Sequence, residues 1–137
     1  MSKNLALEKV GRARLVYTLM KSGWKVGEAY DDGYDILAHH PVKDRTVFIE
    51  LKTMDITNRT SAGHLTAPIT KTEQVNCTHI VIYVEPEGLF FIARKAEILT
   101  SKGNVFAALN KKRQMCKPRA GSRSFARFKN AWNELLN

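Results

Sequence analysis

Apolar and polar positions alternate with different periods along the chain, and the changes of period predict its elements. From Lys3 to Lys21, Ala6, Val10, Ala13, Tyr17 and Met20 recur at three- and four-residue spacing, which predicts an amphipathic helix ended by Ser22-Gly23. Trp24-Lys25-Val26 starts a strand, and Tyr34 to His40 and Arg45 to Leu51 are two more, rich in β-branched, aromatic and aliphatic residues. Pro41 to Asp44 supplies the turn between them, so paired residue numbers sum to 85 if His40 faces Arg45. A long polar connection from Thr53 to Ile69 follows, read as a loop of the functional kind. Thr70-Lys71-Thr72-Glu73 fits a capping box opening a short helix through Gln74. His79 to Val84 and Leu89 to Ala93 are strands joined by the turn Glu85 to Gly88. Ala96 to Leu99 and Val105 to Leu109 look helical, and Phe125 to Leu136 reads as a terminal helix capped by Ser124, with Phe128 and Trp132 on its packing face. One domain over residues 1–137, with a sheet of four or five strands, accommodates these elements.

The hairpin carries the candidate chemistry. The sum of 85 sets Asp35 opposite Glu50, and alternation puts Asp35, Glu50 and Lys52 on one face while Ile36, Val47, Ile49 and Leu51 form the other. Like charges on one rung destabilise a hairpin, so a compensating cation is expected, and Mg²⁺ is commonly held by one or two carboxylates with hard oxygen ligands. A lysine two residues along then orients or deprotonates an attacking water. An isolated Asp with Glu-x-Lys is more often a charge pair on a solvated hairpin; the shared rung and the apolar run into Glu50 favour a site. Asp31 and Asp32 compete with Asp35 as ligands, although Gly33 marks them as turn residues. Glu8, on another stripe of the first helix near Arg12 and Leu15, either reaches the hairpin or pairs with Arg12 one turn on.

Composition and charge add a partner. At 44% apolar residues the chain can bury a core, no apolar run reaches membrane-span length, and the charged N-terminus predicts an intracellular protein with no membrane partner. Cys77 and Cys116, without a CxxC or a Cys/His cluster, indicate neither a zinc module nor a disulfide framework. The net charge of +9 is concentrated at one end, because residues 98–137 hold nine Lys/Arg and a single acid, Glu134. Lys111, Lys112, Arg113, Lys117, Arg119 and Arg123 meet no acid between them and have Phe125 and Phe128 nearby, a pattern that suits a polyanion, nucleic acid above all. Asn58, Arg59 and His64, in the long connection leaving the carboxylate strand, are placed to flank a bound strand.

The order of elements over residues 5–93 resembles the PD-(D/E)XK nuclease superfamily: a helix with Glu8, a hairpin with Asp35 and Glu50-Leu51-Lys52, then a helix with Lys71 and Gln74. Its small single-domain members, archaeal Holliday junction resolvases and intron-encoded homing endonucleases, are the most similar type. Tyr34 replaces the usual proline before the aspartate, which leaves Asp32 open beside Asp35. The resemblance implies an α/β, restriction-endonuclease-like fold with a mixed central sheet flanked by helices. It implies Mg²⁺, with Mn²⁺ as a substitute, on Asp35, Glu50 and the Leu51 carbonyl, Lys52 activating water, and Glu8 and Gln74 completing the site. Lys71 lies near the scissile phosphate in this reading, DNA is the substrate, and a homodimer or higher homo-oligomer cuts both strands. The alternative is a non-catalytic nucleic-acid-binding protein on the same scaffold.

Overall fold

The computed structural model describes residues 3–29, 33–55, 63–99, 104–109, 115–117 and 123–136, of which 3–4, 63–68, 104–109, 115–117 and 123–126 are described in backbone only. Helix α1 (Lys3–Lys21) leads into a five-stranded sheet built from β1 (Lys25–Glu28), β2 (Ile36–His40), β3 (Arg45–Asp55), β5 (His79–Glu85) and β6 (Leu89–Arg94). The spatial order is β1-β2-β3-β5-β6, with β3 and β5 parallel and every other pair antiparallel. β2 and β3 pair with Ile36 opposite Ile49 and His40 opposite Arg45, the register expected from the turn.

A parallel pair needs a crossover. Here it consists of β4 (Gly63–Pro68) and the short helix α2 (Lys71–Asn76), whose capping box is present as the sequence predicts. β4 belongs to a second sheet, ordered β4-β7-β8-β9, with β7 (Asn104–Leu109), β8 (Met115–Lys117) and β9 (Arg123–Ser124). Two expectations are corrected by that sheet. The connection after Thr53 is a continuation of β3 to Asp55 and then a strand, and Val105 to Leu109 is a strand rather than a helical piece. Short apolar runs suit either state, and pairing across some forty residues decides this one.

Both faces of the central sheet are buried, which is why β5 is apolar at nearly every position. On one face Leu15 and Leu19 of α1 pack with Ile36, Val47, Ile49, Val81, Tyr83 and Ile92. On the other, Met54, Ile69, Cys77, Ile80, Ile82 and Phe128 form a second cluster, with helix α3 (Lys95–Ile98) adding Ile98.

The helix is turned away from the stripe expected of it. Val10, Tyr17 and Met20 are 40%, 65% and 61% exposed, while Gly11, Leu15 and Leu19 face the sheet. α1 carries two apolar stripes, and the one containing Gly11 wins because it permits the closest approach. A Cβ at Gly11 would stand 3.0 Å from both Thr53 Cγ2 and Tyr83 Cδ2.

The terminal helix is also corrected. Residues Phe125–Phe128 and Trp132–Leu136 form two 3₁₀ turns, broken where Lys129 bridges Phe91 and the Asn130 N–H donates to the Phe90 carbonyl. Trp132 packs on Phe90 with ring centroids 5.2 Å apart, so it serves the core as expected.

Gly33 fixes how α2 sits over the approach to β2. Its φ is +82°, and an added Cβ would lie 2.8 Å from the Thr72 carbonyl oxygen and 2.9 Å from Asn76 Nδ2. Gly33→Ala should therefore cost about 1–3 kcal/mol in a denaturant melt. Gly27→Ala is the control, since its Cβ would meet nothing closer than 4.0 Å; it should change stability by no more than about 0.5 kcal/mol.

Candidate active site

β2 begins at Ile36, so Asp35 stands just beyond the last β2–β3 rung, with its N–H on the Ile49 carbonyl at 2.8 Å. Its carboxylate is held from two sides. Oδ2 accepts the Leu51 N–H at 2.7 Å, and Oδ1 accepts Arg12 Nη2 at 3.0 Å. Arg12 Nη1 also reaches the Asp35 carbonyl at 3.2 Å and lies 3.9 Å from Glu28 Oε1, which ties α1 to both strands. The N–H and C=O of one strand residue share an edge, so the Leu51 carbonyl opens on the same edge as Asp35, past the end of β2.

Glu50 is only 4% exposed, on the face of β3 that also carries Ile80 and Ile82 of β5 as register partners of Glu50 and Lys52. Lys52 Nζ lies 3.4 Å from Glu50 Oε1 and 3.8 Å from Glu73 Oε2. Glu73 is the third residue of α2, and its other oxygen accepts the Thr70 N–H at 2.8 Å while its own N–H donates to Thr70 Oγ1 at 3.2 Å. One carboxylate thus caps a helix and anchors a lysine.

These groups set the protonation of the site. Burial, then a hydrogen bond to Glu73, then the charge of Asp35 push Glu50 up to about 9, against the pull of Lys52. Glu73 goes down: burial opposes the shift, but hydrogen bonds from Glu50 and Thr70 and the charge of Lys52 outweigh it. At neutral pH Glu50 is therefore the protonated partner, donating to an ionised Glu73.

Asp35, Glu50 and Lys52 are brought together as the sequence predicts. Glu8 is exposed, and the α1 side chain that reaches Asp35 is that of Arg12, one turn later. Gln74 donates from Nε2 to the Ile69 carbonyl at 2.9 Å, tying α2 to the strand exit, and the α2 side chain beside Glu50 is Glu73. Lys71 is exposed at the start of α2. His64 is in β4, Lys117 in β8 and Arg123 in β9. Asp31, Asp32, Asn58, Arg59, Lys111, Lys112, Arg113 and Arg119 lie outside the described residues. Cys77 is a packed thiol, pushed up to about 11 by burial. Among the described residues no helix is long and apolar enough to cross a membrane, and no three or more His, Cys, Asp or Glu side chains group as a metal cluster.

No family model and no curated protein matches the sequence. Solved structures do match. A bacterial homing endonuclease, I-Ssp6803I, superimposes with a TM-score of 0.70 at 19% identity, covering 99% of this chain and 93% of that one. This chain shares that endonuclease's fold. An archaeal Holliday junction resolvase, Hjc of Archaeoglobus fulgidus, matches with a TM-score of 0.47 at 17% identity, over 77% of this chain and 83% of its own. In this fold the α/β sheet of five mixed strands is flanked by α1 on one side, and both Asp35 and Glu50 sit where β2 gives out beside β3.

Two features of the site escaped sequence reasoning. Glu73 was visible only as the fourth residue of a capping box, and its second role needs β3 beneath α2. Arg12 borders the Leu15 stripe, so reading the wrong stripe as the packed one hid it.

Proposed function

We propose that the protein is a divalent-metal-dependent DNA endonuclease that hydrolyses phosphodiester bonds at Asp35, Glu50 and Lys52. The observation carrying this reading is the buried Glu50 carboxyl, hydrogen-bonded to Glu73, in the field of Asp35 and 3.4 Å from Lys52, while Arg12 pairs with Asp35. Burying the Glu50 carboxyl beside Glu73 and in the field of Asp35 is a poor way to stabilise a fold, because desolvation keeps it protonated in spite of Lys52. A bound cation makes the arrangement favourable.

The donor set suits Mg²⁺, for which one or two carboxylates suffice beside other oxygens. Each Asp35 oxygen accepts one hydrogen bond and keeps a second lone pair, Glu50 offers two oxygens once its proton leaves, and the Leu51 carbonyl opens on the same edge. When bound, Mg²⁺ supplies positive charge to the phosphoryl oxygens and a more acidic water. The protein's own groups do the rest. Arg12 and the Leu51 N–H fix the Asp35 carboxylate, Glu73 holds Lys52 against Glu50, and the Lys52 ammonium adds positive charge where the phosphorane develops and donates a hydrogen bond that orients the attacking water. Cutting both strands with one site per chain calls for two copies, hence a homodimer or higher homo-oligomer.

Incubation with linear, nicked and four-way-junction DNA, in Mg²⁺ and again in EDTA, tests the reading. Cleavage in Mg²⁺ alone is expected; binding without cleavage in either buffer would favour a non-catalytic DNA-binding protein. Replacing Lys111, Lys112, Arg113, Lys117 and Arg119 by alanine should make the log–log salt dependence of binding shallower by nearly one unit per lost phosphate contact. An unchanged slope would remove the basic region from the footprint.

A further inference from the structure

Helix α2 carries Glu73, the acid that holds Lys52, yet little within α2 keeps it in place. It has six residues, too few for a helix to persist in water without support, and none of them is buried. Its apolar side chain, Val75, is 76% exposed, so packing does not seat it. The N-terminal end is fastened by the Thr70 capping box and by Gln74 Nε2 on the Ile69 carbonyl.

A second element takes hold of the other end. A helix leaves its last carbonyls without partners in its own backbone. The Glu73 carbonyl accepts the Cys77 N–H at 3.0 Å, and the next two, those of Gln74 and Val75, accept the Lys95 ammonium at 2.6 and 3.3 Å. A cation there also meets the negative end of the aligned peptide dipoles.

Lys95 is itself rooted in the central sheet. It follows β6 as the first residue of α3, and its N–H donates to the Thr78 carbonyl at 3.2 Å. Thr78 is bound to Phe48 of β3 by two bonds: its N–H donates to the Phe48 carbonyl at 2.7 Å, and its hydroxyl accepts the Phe48 N–H at 2.9 Å. Phe48 shares its strand with Glu50 and Lys52. These contacts close a ring. It runs from β3 through Thr78 and Lys95 to the end of α2, and from α2 through Glu73 to Lys52 on β3, 3.8 Å away.

Resting on the nuclease reading above, we infer that Lys95 is a positioning residue for the cleavage reaction, holding α2 so that Glu73 keeps the Lys52 ammonium aimed at the scissile phosphate. Its own ammonium is engaged by two backbone carbonyls, so it acts through α2 and not on the substrate. Glu73 is the one carboxylate through which the effect passes.

Amide exchange without metal and single-turnover cleavage in Mg²⁺ test this together. Lys95→Met keeps the side-chain stem and removes the ammonium. Exchange at the Cys77 N–H, bonded to α2, should speed up by about tenfold or more, while the Thr78 N–H, bonded to β3, keeps the parent's rate. Cleavage should fall by about tenfold to a hundredfold, the usual cost of losing an outer partner of a reacting group, with DNA affinity and its salt slope unchanged. Lys95→Arg should recover most of the loss. Glu73→Gln, which preserves the capping box, should slow cleavage as well, and adding Lys95→Met to it should slow it little further. Losses that multiply would mean that the two residues act independently, against the inference. Parent-like exchange at Cys77, or parent-like cleavage by Lys95→Met, would overturn the inference and leave the nuclease reading standing. A shallower salt slope for Lys95→Met would also overturn it, making Lys95 a phosphate contact. A parent protein that cuts no DNA in Mg²⁺ would overturn the nuclease reading, and with it any share of Lys95 in the chemistry.

Discussion

Lys52→Ala is expected to lose DNA cleavage by about a hundredfold or more, with binding of DNA and of Mg²⁺ retained. The ammonium stands 3.4 Å from Glu50 and 3.8 Å from Glu73, and both acids remain when it is removed. A divalent cation therefore loses no ligand and gains from the absence of a competing positive charge. What disappears is the ammonium set to meet charge developing on the phosphate, a loss felt in the transition state more than in the complex. Single-turnover cleavage at saturating Mg²⁺, beside a DNA-binding titration, measures the two effects separately. A variant that cuts as fast as the parent would exclude Lys52 from the chemistry.

The second large effect is a dependence of stability on pH that Mg²⁺ reverses. Without metal, Glu50 in the folded chain holds its proton to about 9, whereas the unfolded chain loses it near 4.5. The folded state binds more protons in that window, so stability from this group is complete below about 4.5 and falls as pH rises toward about 9, by up to about 1.4 kcal/mol per pH unit. Glu73, with its lowered value, contributes the opposite slope, but only below its ordinary range, so it leaves the neutral window alone. Metal binding needs the ionised Glu50, so stabilisation by a fixed Mg²⁺ concentration should grow with pH until about 9. Glu50→Gln, a near-isostere of the protonated side chain, should be at least as stable as the parent at neutral pH without metal. It should also lose the slope, gain little from Mg²⁺ and fail to cleave. Thermal melts of both proteins across pH 5–9, with and without Mg²⁺, check this; a destabilised but still cleaving Glu50→Gln would contradict it.

What was legible in the sequence was local. A four-residue turn fixed the β2–β3 register, and the register put Asp35 beside Glu50 and Lys52 without any long-range information. The capping box at Thr70 is likewise contained in four residues. The second sheet was hidden because β4 finds β7 across some forty residues, and Val105 to Leu109 is apolar enough to suit a helix or a strand. In α1 the two apolar stripes compete, and the choice rests on how closely Gly11 lets the helix approach Thr53 and Tyr83, a property of the sheet rather than of the helix. That rotation brought in Arg12 in place of Glu8, and the seating of α2 over β3 brought in Glu73 in place of Gln74. In both cases the backbone element was foreseen and the side chain on it was not.

The proposed site is tested most directly by the cleavage of DNA with the parent protein and Asp35→Asn, each in Mg²⁺ and in EDTA. Asp35 takes hydrogen bonds from Arg12 and the Leu51 N–H, and asparagine keeps the shape and one acceptor oxygen while removing the charge. Cleavage by the parent in Mg²⁺, none in EDTA and none by folded Asp35→Asn in either buffer is the expected result. Cutting by the parent in EDTA, or by Asp35→Asn in Mg²⁺ at the parent's rate, would contradict a metal-dependent nuclease centred on Asp35, Glu50 and Lys52.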